Sequence, residues 1–368
     1  MKKCGIITYH FATNYGAMLQ SYALKNAIEK LGADAEVLNY VSEKQLDNNS
    51  LYRTKQGLKG FIKNALVFPF HHVRSKRQNR CVEFRNKYIV TNKKQLKNIN
   101  ELKQYCDSRA FNVLISGSDQ VWNPNVYDFN EAFFYPFATR SKKVGYAVSI
   151  GNAKNSDLEY YIKWINEFDT ITVREKQSIK LIESMTGKKN IVSVVDPVFL
   201  VPKEHWKSIL SKVKQQNYLV CYFVKNHNID KKIALAHKIA ADKGLKVIII
   251  NSRITKYNFF EHVVSDAGPI EFLSLINGAD FVCTDSFHGT AFSLLLEKQF
   301  ITLIENSEGT DNRKLGLLDT VGLRNRSYSL DSEPLGDFDS KLDYMNIRVK
   351  IESMRLESTQ ILENLIGN

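Results

Sequence analysis

Regular alternation of strand-like and helix-like stretches predicts an α/β protein built from two Rossmann-like halves. Two further observations agree. The 368 residues suit two domains of about 150 to 190 residues, each able to bury its own core. Polar, glycine-containing loops also follow several strands where helices begin, the position at which parallel sheets bind ligands.

The first half opens on an apolar run, Cys4–Tyr9, then the loop His10–Gly16. Met18, Leu19, Tyr22, Ala23, Ala27, Ile28 and Leu31 follow at helical spacing before Gly32. Ala35–Tyr40 reads as the next strand, which completes a βαβ start. Asn112–Ile115 resumes the strand pattern and ends in the polar loop Ser116–Pro124. Val144–Ser149, Thr170–Val173 and Ile191–Val195 are strands, separated by helices over Ser156–Phe168 and Glu175–Met185, the latter closed by Gly187. Asp196-Pro197 reads as a hinge.

The second half repeats the pattern. Helices are expected over Lys203–Leu210, Ile229–Lys243 before Gly244, and Pro269–Ile276; strands over Tyr218–Val224, Lys246–Ile250, Phe281–Thr284 and Phe300–Ile304. Asp285–Thr290 turns into an apolar helix through Leu296. The last 28 residues read as helix. The expected domains are therefore 1–197, with a basic insertion at 45–110; 198–340; and a terminal helix, 341–368, packing back on the first domain.

At 43% hydrophobic and 24% charged, the composition is that of a globular protein, which excludes disorder and solenoid repeats. No run approaches the roughly 18 apolar residues of a membrane span. The apolar run behind Lys2 and Lys3 is too short for a secretory signal, so the chain is expected in the cytoplasm. Cys4, Cys81, Cys106, Cys221 and Cys283 show no CxxC pair, so neither a disulfide framework nor a zinc knuckle is expected.

Charge is unevenly placed. Between Arg53 and Lys103 fourteen Lys or Arg face only Glu83 and Glu101, an excess equal to the +12 of the whole chain. Such a field points to an acidic partner. Within it, Leu58, Phe61, Ile62, Ala65 and Leu66 form one helical face beside Arg74, Lys76, Arg77 and Arg80, a pattern suited to an anionic membrane surface or to a helix covering a sheet. Aromatics spaced for base stacking are few, so no nucleic-acid partner is expected.

Three loops occupy the end of a strand and the start of a helix, where free N–H groups and the helix dipole favour anions. They are Thr13-Asn-Tyr-Gly16, Gly117-Ser-Asp-Gln120 and Ser286-Phe-His-Gly-Thr290. None matches a phosphate-binding fingerprint, and each glycine taken alone is more often a turn requirement. His288 would project from a helix-opening turn, or else pack or cap. Arg174 has the fork that grips phosphate or carboxylate, as do Arg313 and, without the fork, Lys314; surface pairing explains them equally. Asp119 is the best-placed carboxylate for base duty, or a turn cap. Asp337-Phe-Asp339 and His71-His72 lack metal-ligand context, so no metal is expected.

Together, Thr13-Asn-Tyr-Gly-Ala-Met-Leu-Gln20, Ile115-Ser-Gly-Ser-Asp-Gln-Val-Trp-Asn123, Val173-Arg-Glu-Lys-Gln-Ser178, Val195-Asp-Pro197 and Thr284-Asp-Ser-Phe-His-Gly-Thr290 resemble the polysaccharide pyruvyl transferase family over residues 4 to 325. The resemblance implies a GT-B-like fold, two Rossmann-like domains facing across a cleft, with the acceptor on the first and the donor on the second. It implies phosphoenolpyruvate as donor, a sugar of a cell-surface polysaccharide or its lipid-diphosphate-linked precursor as acceptor, a pyruvate ketal and phosphate as products, and no cofactor.

The same resemblance implies His288, Asp119 and Arg174 as catalytic residues, and Ser286, Gly289, Thr290, Ser118, Arg313 and Lys314 at the donor. Asn14, Tyr15, Gly16, Gln120 and Trp122 would serve the acceptor. The basic segment would then concern the acceptor or the inner face of the membrane that carries it. A nucleotide-sugar glycosyltransferase of the same architecture is the alternative.

Overall fold

The computed structural model describes residues 1–52, 64–65, 68–251, 254–305, 311–330 and 340–367. Leu58, Phe61, Ile62 and Leu66 of the expected amphipathic face, Gly309-Thr310 and Asp337-Phe-Asp339 lie outside the described residues. The chain divides into two compact units: Met1–Lys55, Arg85–Val201 and Glu352–Asn368 form one, Gln56–Phe84 and Pro202–Ile351 the other.

The first unit holds β1 (Lys3–Ile7), β2 (Asp34–Val37), β3 (Val113–Ser116), β4 (Lys142–Val148), β5 (Thr170–Val173) and β6 (Val192–Ser193), all parallel, in the order β2-β1-β3-β4-β5-β6. Its central strands are covered on both faces, so β3 is buried throughout and β4 at every position after Lys142, rather than at alternate ones. Ile6 sits in register with Val37 on one side and Ile115 on the other. The order reverses between β1 and β3, the position at which open parallel sheets bind ligands.

Helix α1 (Tyr15–Lys30) starts where Asn14 accepts the Ala17 amide at 3.2 Å, satisfying an amide that the first turn leaves unpaired. It is buried nearly all round, because the sheet lies on one side and the 3-10 turn Pro197–Leu200 on another. Helix α2 (Glu43–Asn48) begins in a Ser42–Gln45 capping box.

The second unit holds β7 (Tyr218–Tyr222), β8 (Lys246–Ile250), β9 (Val263–Val264), β10 (Phe281–Thr284), β11 (Gln299–Ile304) and β12 (Ser327–Ser329) in the order β12-β11-β10-β7-β8-β9, again all parallel. Counted within the unit, this is the Rossmann order, with its reversal between β7 and β10.

Residues 64 to 84, expected in the first domain, belong to the second unit. Helix α3 (His71–Phe84) buries Cys81 and Phe84, and packs on α4 (Pro269–Gly278). Lys76 and Arg80 reach Asp266 at 2.8 and 3.1 Å, and Arg80 reaches Glu271 at 3.2 Å. Part of the basic segment is thus neutralised inside this unit, whereas Arg85–Lys103 belongs to the first.

Other expectations shift as well. Ser156–Phe168 is a series of short turns, Asn155–Leu158, Glu159–Tyr161 and Ile162–Ile165, in which Tyr161 and Trp164 pack on Phe134. Asp196 is buried and caps the next turn through the Val198 amide at 3.2 Å, and the first unit runs past Asp196-Pro197 to Val201. The terminal helix, labelled α7 (Tyr344–Ile366), starts in the second unit and ends in the first. All five cysteines are buried, and none is in a disulfide. No described helix is long and apolar enough to cross a membrane.

Candidate functional site

The three expected loops leave the sheets at strands where the order reverses, after β1 and β3 in the first unit and after β10 in the second.

In the first unit, the loop after β3 is tightly specified. Gly117 has φ +125°, and a Cβ there would lie 2.2 Å from the Tyr146 carbonyl oxygen, so the position admits only glycine. Asp119 follows in the left-handed region at φ 71° and locks the loop to β4: its carbonyl accepts the Val121 amide at 2.8 Å and the Ser149 amide at 3.0 Å. Ser118 is fully buried and donates to the Ala147 carbonyl. These backbone bonds leave the Asp119 side chain 18% exposed.

Arg174, one residue beyond β5, points at this loop, and its side chain is only 3% exposed. It donates to Asp196 at 2.8 Å, to Glu175 at 3.1 Å and to Asp119 at 3.5 Å. Burial disfavours its charge, but Glu175, Asp196 and Asp119 outweigh that and hold the guanidinium pKa above its ordinary value. The guanidinium is thus engaged by three carboxylates, Asp119 among them.

The expected acceptor contacts divide. Trp122 is wholly buried, with Nε1 donating to Ser116 Oγ at 3.0 Å and its ring on Phe134 and Phe168. Tyr15 and Gly16 are buried in α1, so these three are core. Asn14 is exposed and serves as the cap. Gln120 is half-buried and accepts from Asn123 at 2.8 Å.

In the second unit, α5 (Phe287–Leu295) follows β10, with Ser286 accepting the Gly289 amide at 3.3 Å. Gly289 fits because a Cβ would meet Thr284 Oγ1 at 2.3 Å. Thr290 is buried and hydrogen-bonds the Ser286 carbonyl and Thr302. Gly289 and Thr290 therefore fix the turn. His288 occupies the second position of the helix and is 8% exposed.

Beneath this turn lies a charge network that the sequence did not reveal. Lys314, expected at the donor, is 3% exposed, and its ammonium donates to the Asp285 carbonyl, the Leu303 carbonyl and Asp311. Three acceptors exhaust three N–H bonds. Its pKa is lowered, by burial above all, with Asp311 opposing. Lys232 is equally committed, to Asp285 at 2.7 Å, Glu305 at 2.5 Å and the Lys225 carbonyl at 3.2 Å. Lys225 is different: it is 32% exposed, and its ion pairs with Asp311 and Glu305 are longer, 3.2 and 3.5 Å. Arg313 is half-buried at the start of α6 (Asn312–Val321).

The sequence reading missed Lys225, Lys232 and the Asp196–Arg174 pair. Lysines in loops or amphipathic helices carry no local mark of burial; the Val-Asp-Pro motif was the available signal for Asp196. Among the described residues, no group of three or more His, Cys, Asp or Glu is placed to hold a metal ion.

Several solved structures share this fold. A protein of Listeria monocytogenes described as a UDP-N-acetylglucosamine 2-epimerase is 11% identical, with TM-score 0.57 over 98% of this chain and 95% of that one. S. aureus MnaA with UDP is 10% identical, with TM-score 0.53 over 98% and 91%. The UDP-GlcNAc 2-epimerase of Methanocaldococcus jannaschii is 12% identical, with TM-score 0.52 over 96% and 93%. At these identities the likeness is one of fold: a GT-B-like α/β protein of two Rossmann-like units. A search of curated proteins returned no match. The family model for polysaccharide pyruvyl transferase matches residues 14–308, a span that includes Asn14, Asp119, Arg174 and His288. This chain belongs to the polysaccharide pyruvyl transferase family.

Proposed function

We propose that the protein transfers pyruvate from phosphoenolpyruvate to two hydroxyls of one sugar, forming a ketal and releasing phosphate. The observation that carries this reading is Asp119, a partly exposed carboxylate held at the carboxyl end of β3 by a rigid loop and by Arg174. A carboxylate in that setting suits removal of a proton from an acceptor hydroxyl.

The chemistry assigns the remaining roles. A proton is added to the donor's methylene carbon while the first hydroxyl oxygen bonds to the adjacent carbon. The C–O bond to phosphate then breaks, and the second hydroxyl closes the ketal at the same carbon. In the second unit His288 supplies the proton or binds the phosphate, and the opening turn of α5 presents backbone amides to the anion. Ser286, Lys225 and Arg313 are the polar groups of that unit assigned to the donor. Arg174 acts as a positioning residue for Asp119.

The acceptor is a saccharide of a cell-surface polysaccharide or its lipid-diphosphate-linked precursor, and the protein works in the cytoplasm, in peripheral contact with the anionic inner face of the membrane. Phosphate release from phosphoenolpyruvate against a panel of glycosides, with mass spectrometry for the added ketal, tests the reaction. Undiminished transfer by a folded His288→Ala protein would remove His288 from it. Flotation with acidic vesicles tests the membrane contact: protein left at the bottom of the gradient argues against it.

A further inference from the structure

We propose that Tyr9, Asp119 and Asp128 of the first unit form a subsite for two neighbouring hydroxyl groups of a saccharide. This deepens the acceptor side of the proposed function and rests on that reading.

The three residues come from segments that the fold ties together. Tyr9 follows β1 and Asp119 follows β3, the adjacent strands between which sheet order reverses. Thr8 Oγ1 donates to the Ser118 carbonyl at 3.1 Å, which joins the residues next to them. Asp128 precedes the 3-10 turn Glu131–Phe134, whose Phe133 ring lies 4.7 Å from that of Tyr9. Asn48, at the end of α2, reaches Asp128 at 3.5 Å, and Asn49 accepts the Thr13 amide at 2.8 Å. The end of α2 thus holds both the Asp128 loop and the chain beyond Tyr9.

Tyr9 is 5% exposed, and its hydroxyl is buried without a hydrogen-bond partner among the described residues. Such orphaned groups are uncommon in folded interiors and call for an explanation. Burial first, then the charges of Asp128 and Asp119, push the phenol well above its usual pKa. Burial and then, among other groups, Asp119 act on Asp128 too, raising its carboxyl. The hydroxyl therefore stays protonated and lies within the field of both acids. Asp119, partly exposed, is the group that meets solvent.

This donor and acceptor pattern selects its ligand. An anion would be repelled by two carboxylates, an apolar group would leave the phenol unpaired, and a cation has no lone pair for the phenol to donate to. A sugar hydroxyl donates to a carboxylate and accepts from a phenol at once. Two of them satisfy the cluster, which is the number a ketal requires.

The test measures binding of methyl β-D-glucopyranoside, galactopyranoside and mannopyranoside by saturation-transfer NMR, without phosphoenolpyruvate. Wild-type protein is compared with Tyr9→Phe, which keeps the ring on Phe133, and Asp128→Asn. The expected result is binding of at least one glycoside, weakened about fivefold or more in both variants, with melting temperatures and the KM for phosphoenolpyruvate unchanged. Equal binding by wild type and Tyr9→Phe, or no binding of any glycoside by wild type, overturns the subsite. Sugar binding that depends on Tyr9, without ketal formation from phosphoenolpyruvate, leaves the subsite standing and removes the donor assignment instead.

Discussion

Asp119 and Arg174 share one ion pair yet answer to different measurements. Asp119 contributes its carboxylate to chemistry, while its backbone holds the loop, so Asp119→Asn should keep the fold and lower the turnover number about 100-fold or more. Steady-state kinetics beside a melting curve separate the two effects. Arg174 is ion-paired with three carboxylates, of which Asp196 and Glu175 are 0% and 6% exposed. Removing it strands buried charge, so Arg174→Met should cost about 3 to 5 kcal/mol of stability in urea denaturation. A loss of activity with unchanged stability would instead mark it as a donor ligand.

Elements owe their shape to particular contacts as much as to propensity. The β3 loop turns at Gly117 because the Tyr146 carbonyl oxygen leaves no room for a Cβ. Gly117→Ala should therefore prevent accumulation of folded protein, or lower its melting temperature by more than about 10 °C; an unchanged melting curve would contradict this. Helix α1 was legible from its apolar spacing before Gly32, since that signal is local, whereas its Asn14 cap showed only in the structure. The short turns of 155–165 were not, because ring packing on Phe134 decides their backbone. Nor were β9 and β12, whose two and three residues carry too little periodicity to read.

Across the whole molecule, stability should depend on pH through groups far apart in the chain. His10 is buried, and burial above all lowers its pKa from 6.5 to about 4, with Arg85 adding to this and Thr8 and Asn39 opposing. The unfolded chain takes up a proton at pH values where the native chain does not, so stability falls as pH drops from about 6.5 towards 4. His10→Gln should flatten the melting-temperature profile in that window and leave it unchanged above it. Glu297 acts lower on the scale: Arg348 first, then Lys203, hold its carboxyl at about 2 against burial. Its contribution is present above about 4.5 and lost as pH falls towards 2, and Glu297→Gln should match wild type at the acid end of a titration monitored by circular dichroism.

The sequence by itself determined the α/β class, most of the strands and helices, the three loops at strand ends and the family, because these rest on periodicity, glycine and cap positions, and contiguous motifs. Tertiary structure alone decided which polar residues of those motifs face outward. Trp122, Tyr15, Thr290 and Lys314 sit in the expected loops and helices, yet packing and hydrogen bonds turn them inward. Arg174 is surrounded by carboxylates that lie 1, 22 and 55 residues away in the chain. Only folding brings together groups so far apart, and with them the burial and electrostatic field that set what each can do.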